Sequence, residues 1–528
     1  MGVDLATIDV VIIVLYALGS IGLGVALGRN NHDAEDYFLA GRNMRWPVIG
    51  SSLYASNIST TTLVGLAGAA YTAGIAVYNY EWMAVLALVG FALFFVRPVL
   101  RSGVYTMPEF LDRRYGPRVR TYFALLTLFL NIVVDTAGSL FAGAVLFELV
   151  FPAAPFWLLI VVLALAAGLY TVVGGLAAVM VTDAIQAVIL TVAAAIIFVF
   201  ALDEVGGWTA LIDTIERTTP EKLSLIRPLD DPHLPWFGLV LGVPILGFYF
   251  WCTNQFMIQR VLAARDETEG RLGMLFAGFL KLPTLFFMVL PGTAAIVLYP
   301  NLESANDVYP TLLFDLMPHG LLGLALAGFV AALMSQIDST LSSASTLVTM
   351  DFIRPWRPDL TPQQLMRVGQ GATLVFMGFA VLWAPQIQRF PDLFSYLQAV
   401  LAYAVGPVVA LFGFGVLWKR ANTTGAEAAI VVGGLTGAVL FYGIQIAGWP
   451  LHFLYAAPLG MAASSVALVV GSLWTSPPPS ERVEGLVWTP DQWADDARQL
   501  AGQPWYRDYR VLSGLLVALT VAIVVAFA

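Results

Sequence analysis

One cysteine stands among 528 residues. Cys252 alone permits no disulfide within the chain and no multi-cysteine metal centre, and it leaves the redox compartment open. Its plain reading is a small buried hydrophobe. Histidine is nearly as scarce, with His32, His233, His319 and His452 scattered along the chain. No His-Glu-x-x-His pair and no G-x-x-x-x-G-K-[ST] phosphate loop occurs, so zinc hydrolysis and ATP-driven pumping lack their signatures. No enzymatic activity is expected, nor a nucleic-acid partner, nor an obligatory protein partner. Charged residues make up only 12% of the chain. The longest hydrophilic stretches, about Asp203 to Pro235 and Thr475 to Arg510, are too short to bury a soluble core. The absence of a signalling domain counts against a membrane sensor built on a transporter-like module, which stays an alternative.

Apolar residues are abundant, at 59% of the chain, with a mean hydropathy of +0.80. Runs of roughly 20 residues, enough to cross about 30 Å of hydrocarbon, recur from Val10 to Leu27 through to Leu512 to Ala528. Fourteen such runs predict an all-α polytopic membrane protein. The first run follows no basic segment and no small-residue cleavage site, and is expected to stay as a helix. With the N-terminus outside, the basic loops fall on one side: Arg29 to Arg45, Arg97 to Arg120, Arg260 to Arg271, Arg354 to Arg367, Lys419 with Arg420, and Arg482 to Arg510. That side is cytoplasmic by the positive-inside rule. Asp4, the acid-rich stretch Asp203 to Asp231 and the segment Asn301 to Tyr309 lie opposite, so both termini are expected outside the cytoplasm of a plasma-membrane protein.

Polar residues inside apolar runs locate function, because irregular backbone at membrane depth survives only around a cavity or inside protein. Gly50 to Val64 holds Ala55-Ser-Asn57-Ile58-Ser59 at its middle. A helix loosened there frees carbonyl oxygens, the ligands a hard cation prefers. Trp236 to Gln255 is interrupted by Gly242, Pro244 and Gly247. Two broken helices of this kind suit an inverted-repeat transporter; a plain proline kink is the alternative for the second. Glu81 opens a run between Tyr80 and Trp82, either as a site residue or at the membrane edge. Lys281 lies about ten residues into another run, where its charge costs about 2.5 to 3.5 kcal/mol. It needs a partner or a watery cavity, unless its stem snorkels to the interface. Asp183 and Gln186 share a helical face, as do Ser335, Asp338, Ser339 and Ser342. A carboxylate among hydroxyls points to a cation.

These segments together resemble the sodium/solute symporter family, and most closely its sodium/glucose cotransporter branch, over roughly Asp36 to Gly425. The carriers are Tyr37-Phe-Leu-Ala-Gly-Arg42, Ala55-Ser-Asn57-Ile58-Ser59, Tyr80-Glu81-Trp82, Gly174-Gly175-Leu, Thr182-Asp183-Ala-Ile-Gln186, Trp251-Cys-Thr-Asn-Gln255, Gln259-Arg260, Lys281-Leu-Pro, Ala344-Ser345-Thr346-Leu and Trp418-Lys419-Arg420. The resemblance implies one transporter domain with a LeuT-like core of two inverted five-helix repeats at about 46–420. One helix precedes it at about 8–28, and helices at about 424–528 follow.

It further implies a sodium site made by the backbone carbonyls of Ala55, Ile58 and Ala332 and the hydroxyl of Ser335. Gln336 stands where sugar-transporting relatives usually carry a second serine. A second sodium site would use Asp183, Ser335, Asp338 and Ser339, with Asp338 where relatives more often have a hydroxyl. Two carboxylates there repel unless a cation neutralises them or one is protonated, so two sodium ions per turnover are expected, with protons as the alternative coupling ion. Solute contacts map onto Asn57, Glu81, Lys281, Gln398 and Trp251, and gate aromatics onto Tyr54 and Phe250, the latter usually tyrosine. Thr62 replaces a histidine of animal relatives. The expected activity is symport of a small polar solute, a glucose- or galactose-type hexose, by alternating access. Inositol, an amino acid, a nucleoside or an organic anion are the alternatives.

Overall fold

The computed structural model describes residues 5–28, 33–390 and 392–528. Asp4, Arg29 and His32 lie outside them. The chain is 82% helix, and the described residues form no strand beyond a single parallel bridge between Met44 and Ala264. Among the described residues, ten helices are long and apolar enough to cross a membrane. Two pairs bent at a short break, Glu267–Lys281 with Leu285–Leu298 and Leu393–Ala404 with Gly406–Leu417, raise the number to as many as 12.

Length and composition alone do not confirm the expected count of fourteen, for a physical reason. The second apolar run divides into two half-helices, Trp46–Asn57 and Thr60–Ala73, each too short to cross alone. The latter passes through the tight turn Gly74–Tyr78 directly into Asn79–Phe94. Gly74 is required in that turn: its φ is 71°, and a Cβ would lie 2.2 Å from the carbonyl oxygen of Lys222. The element that begins at Phe156 continues to Val205, but Gly175, at φ 64° and ψ 179°, divides its 50 residues into two helices.

Both anticipated helix breaks are present. The first falls at Ile58 and Ser59, where ψ rises to 72° and then 177°. The second helix, Trp236–Phe248, passes Pro244 without ending and widens into a π-helical turn at Tyr249–Thr253. It breaks at Asn254, with ψ 128°, before Gln255–Leu262. The proline is therefore not the break. The irregular backbone lies ten residues further on, deep in the bundle.

Trp46–Asn57 packs against Glu267–Lys281, the long Phe156–Val205 element and Leu321–Leu347. Leu321–Leu347 is buried along most of its length, including Ser335, Asp338, Ser339 and Thr340. A hydroxyl-rich helix with no lipid face must have polar partners inside the protein, and these build the site.

The two ends of the bundle differ chemically. At one end Arg101 pairs with Glu267 at 2.7 Å, Arg97 with Asp496 at 2.9 Å and Arg120 with Asp351 at 2.7 Å. At the other, the backbone N–H of Leu225 donates to the carbonyl of Phe527 at 2.9 Å, and Lys222 donates to the carbonyl of Tyr71 at 2.9 Å. Two arginines of the basic loops are not loop residues in the fold. Arg114, 0% exposed, donates to the carbonyls of Gly415, Trp418 and Ala421, capping the C-terminal end of Gly406–Leu417. Arg260, 1% exposed, points into the core.

Candidate functional site

A cavity of about 850 Å³, counting its open mouth, lies between the two helix breaks. Asn57, Glu81, Trp251, Lys281 and Gln398 all line it, as does Phe250. Asn57 is the last residue before the first break, and Trp251 lies in the π-helical turn before the second. Glu81 occupies the first turn of Asn79–Phe94, where a helix N-terminus favours a carboxylate. That turn is fixed by Asn79, whose amide donates to the carbonyls of Ala76 at 2.7 Å and Leu225 at 2.8 Å.

Lys281 is buried and does not snorkel. Its ammonium lies 2.6 Å from Glu81 Oε2, donates to Asn57 Oδ1 at 2.5 Å and stands 4.7 Å from the centre of the Trp251 ring. Glu81 is buried as well, at 6% exposure, so it does not mark a membrane edge. An ammonium shared by a carboxylate, an amide oxygen and an aromatic face presents donors and acceptors beside an apolar wall. The aromatic wall continues through Tyr80 and Phe394, whose rings meet edge to face at 5.0 Å. Tyr54 does not line this cavity. It is buried behind it, accepting a hydrogen bond from Thr191 at 3.3 Å.

Ala55 and Ile58 sit at the first break, and Ala332 and Ser335 on the face of Leu321–Leu347, which packs against Trp46–Asn57. Ser335 Oγ donates to Asp183 Oδ1 at 2.5 Å, which leaves the lone pairs of that hydroxyl to accept a cation. Gln336 lines the solute cavity.

Asp183, Ser335, Asp338 and Ser339 do converge, and they do so around Arg260. The guanidinium is 2.9 Å from Asp183 Oδ2 and donates to Ser56 at 2.5 Å, to Ser52 at 2.6 Å and to Ser339. Ser52 in turn donates to Asp183 Oδ2 at 2.6 Å, and Ser339 Oγ lies 3.2 Å from Asp338 Oδ1. Arg260 reaches this place because the second break at Asn254 redirects Gln255–Leu262 into the core. Its position in a basic run hid that role. Asp135 is a further residue that the sequence reading passed over. It lines the solute cavity at 8% exposure from a π-helical turn, Asn131–Thr136. The available signal was an aspartate inside the apolar run Leu125 to Leu146.

With this geometry in place, similarity to known proteins is specific. The model of the sodium:solute symporter family matches residues 37–433. Sodium/glucose cotransporter 1 of Oryctolagus cuniculus is 33% identical over 92% of this chain and 81% of its own length. A sodium/mannose cotransporter of Bos taurus is 33% identical over 92% of this chain and 90% of its own. Among solved structures, a Na+-coupled sialic acid symporter in a substrate-bound outward-open state superposes with a TM-score of 0.79 at 23% identity, covering 90% of this chain and 99% of that one. The all-helical architecture is that of the LeuT-like inverted repeat. The chain belongs to the sodium:solute symporter family.

Proposed function

We propose that this protein is a plasma-membrane symporter in which inward sodium flow drives uptake of a sugar of the glucose, galactose or mannose type. The observation that carries this reading is the Lys281 ammonium shared among Glu81, Asn57 and the Trp251 face at the bottom of a cavity between two broken helices. Hydroxyl groups of a sugar replace these mutual contacts one for one, and its apolar face covers the indole. A solute that cannot re-pair the buried polar groups is rejected by the cost of leaving them unsatisfied, about 1 to 3 kcal/mol each. Relatives named for glucose and mannose support the same class.

In this reading one sodium ion binds the carbonyls of Ala55, Ile58 and Ala332 and the hydroxyl of Ser335, bridging the first break to the long helix. A second binds at Asp183, Ser335, Asp338 and Ser339. There the Asp183 carboxylate and the hydroxyls of Ser335 and Ser339 offer the oxygen ligands that a hard cation prefers. Gln336 belongs to the solute, and Phe250 rather than Tyr54 serves as the gate ring over the cavity. Sodium stabilises the outward-open form, solute completes closure, and one transporter domain rocks about the site as a carrier without enzymatic chemistry. Both termini lie outside the cytoplasm in this reading, and the contact of Phe527 with Leu225, in the acid-rich stretch, supports that side for the C-terminal helix.

The test is competition of labelled glucose uptake into proteoliposomes by unlabelled hexoses, inositol, amino acids, nucleosides and organic anions, with sodium or with choline. Hexoses alone should compete, and only sodium should support uptake. Stronger competition by any other class would replace the sugar assignment.

A further inference from the structure

A second cavity, of about 1090 Å³ counting its open mouth, lies at the end of the bundle that carries the basic loops and shares no lining residue with the solute cavity. Arg45, Arg265, Arg271 and Arg507 line it, brought together from three stretches far apart in the chain. Among the described residues, the side chains of Arg45, Arg265 and Arg507 make no hydrogen bond and no ion pair. Arg271 is 4% exposed, stacks over the Tyr509 ring at 4.2 Å and donates from Nη1 to Asp496 at 3.0 Å, but its Nε is buried with no acceptor among the described residues. A buried N–H left unpaired is costly, and such a group calls for an explanation.

The acids of this cavity, Asp266, Glu269 and Asp496, are engaged elsewhere. Asp266 caps Glu267–Lys281 by accepting from the backbone N–H of Glu269 at 2.9 Å, and Glu269 accepts from the backbone N–H of Trp46 at 2.7 Å, at the start of Trp46–Asn57. The positive ends of those helices offset both carboxylates. Asp496 accepts from Arg97 at 2.9 Å and from the Tyr509 hydroxyl at 2.6 Å as well as from Arg271. The surroundings are those of a membrane interface. Trp46–Asn57, Glu267–Lys281 and the membrane-length helix Tyr509–Ala526 all begin here. Trp46, next to Arg45, is 37% exposed, and Trp505 and Tyr506, next to Arg507, are 63% and 59% exposed. Exposed indole and phenol rings at the ends of spans mark the level of lipid headgroups, and basic pockets between spans at that level suit headgroup phosphates.

We propose that this cavity is a phosphate site, in which Arg45, Arg265, Arg271 and Arg507 receive the oxygens of a phosphate-bearing anion. Guanidinium groups with spare donors match phosphate oxygens in geometry and charge. The aromatic flank favours the phosphodiester of an anionic lipid as its source over a soluble phosphate. The bound anion ties the start of Trp46–Asn57 to that of Glu267–Lys281, the two helices whose far ends carry Asn57 and Lys281. It therefore steadies the walls of the solute cavity from the opposite end. The site is independent of which solute is carried.

The experiment melts the full-length chain in an uncharged detergent while dioleoyl-phosphatidylglycerol, dioleoyl-phosphatidylcholine or potassium phosphate is titrated in, the last against potassium chloride of equal ionic strength. Phosphatidylglycerol should raise the melting temperature saturably, as a ligand of the folded state does, and phosphatidylcholine should not. With Arg45→Gln, Arg265→Gln and Arg507→Gln combined, the half-saturating phosphatidylglycerol concentration should rise by at least about tenfold. These side chains leave no partner stranded, and Arg265→Gln alone should move the midpoint in the same direction if the combined variant does not fold. A control with Arg118→Gln, Arg357→Gln and Arg367→Gln removes the same charge from exposed positions elsewhere and should stay within about twofold of the wild type. A saturable rise with potassium phosphate that the combined variant abolishes supports the same site with a soluble source. Equal stabilisation by the two lipids, no stabilisation by either anion, or equal weakening in the site and control variants overturns the inference; the first two results need no variant to fold.

Discussion

The guanidinium of Arg260 lies 2.9 Å from the carboxylate of Asp183, with both side chains fully enclosed. The hydroxyls of Ser52, Ser56 and Ser339 gather about this pair. Removing one partner strands the other as a buried charge, at about 3 to 5 kcal/mol. Arg260→Ala should therefore melt well below the wild type in sodium-free buffer. Sodium should restore part of the loss, because an ion that binds only the folded state stabilises it by mass action. Melting temperatures in sodium and in choline check this. A sodium-induced rise no larger in the variant than in the wild type would show that sodium does not take the place of the lost guanidinium.

Lys281 and Glu81 form the other buried pair, and their loss should be read in the solute, not in the ion. Glu81→Gln and Lys281→Met each should raise the apparent KM for glucose by about tenfold or more, with the sodium dependence of uptake within about twofold of the wild type. Initial rates over a range of glucose and sodium concentrations separate the two. A selective rise in the sodium KM would place the pair in the cation site instead.

Gly292 allows Leu290–Leu298 to cross Thr60–Ala73 at backbone contact, since a Cβ there would lie 2.3 Å from the carbonyl oxygen of Ala67. Gly292→Ala should cost about 1 to 3 kcal/mol through overpacking. The melting temperature should drop, while the apparent KM for glucose of the protein that remains folded should stay near the wild-type value.

Acidification should loosen the end of the bundle remote from the basic loops, in two steps. Burial pushes the His452 imidazole down to about 4, and its Nδ1 accepts from the backbone N–H of Leu454 at 3.3 Å, as a neutral ring does. The folded value lies below the ordinary one near 6.5, so the unfolded chain holds the extra proton between them. Stability is then lost as pH falls from about 6.5 to about 4. Asp231 has the sign of a carboxylate. Burial alone would raise it, but the backbone N–H groups of Leu234 and His233 and the Arg227 guanidinium lower it on balance. Its contribution is present above the ordinary carboxylate range, about 4, and lost only below it. His452→Gln should flatten the first step and leave the second. Melting in detergent from neutral pH downward tests the order.

What could be read from the sequence followed from the physics of each feature. Hydropathy announces helices because lipid leaves the backbone no other partner, and the break at Ile58 was visible as polar residues in an apolar run, whereas the second break falls at Asn254, beyond the glycines and proline that signalled it. Lys281, Glu81 and Asn57 could be named singly, yet their meeting at one ammonium depends on a crossing of three helices that no local pattern encodes. Arg260 was misplaced because charge counting assigns an arginine near a loop to water, whereas the break before Gln255–Leu262 turns it inward. Tyr54, expected as a gate aromatic, is buried and accepts a hydrogen bond from Thr191, a contact between distant segments that no local pattern encodes. Counting helices by length and composition does not confirm the expected fourteen, because half-helices joined by tight turns do not divide as apolar runs do.

The central claim, that sodium flow drives sugar inward through the cavity at Lys281, is tested most directly by concentrative uptake. Proteoliposomes holding the full-length chain, with an inward sodium gradient and an inside-negative potential, should accumulate labelled glucose above its external concentration. Accumulation should collapse when the sodium gradient is dissipated. Uptake that only equilibrates, or that proceeds equally when choline replaces sodium, would contradict the account.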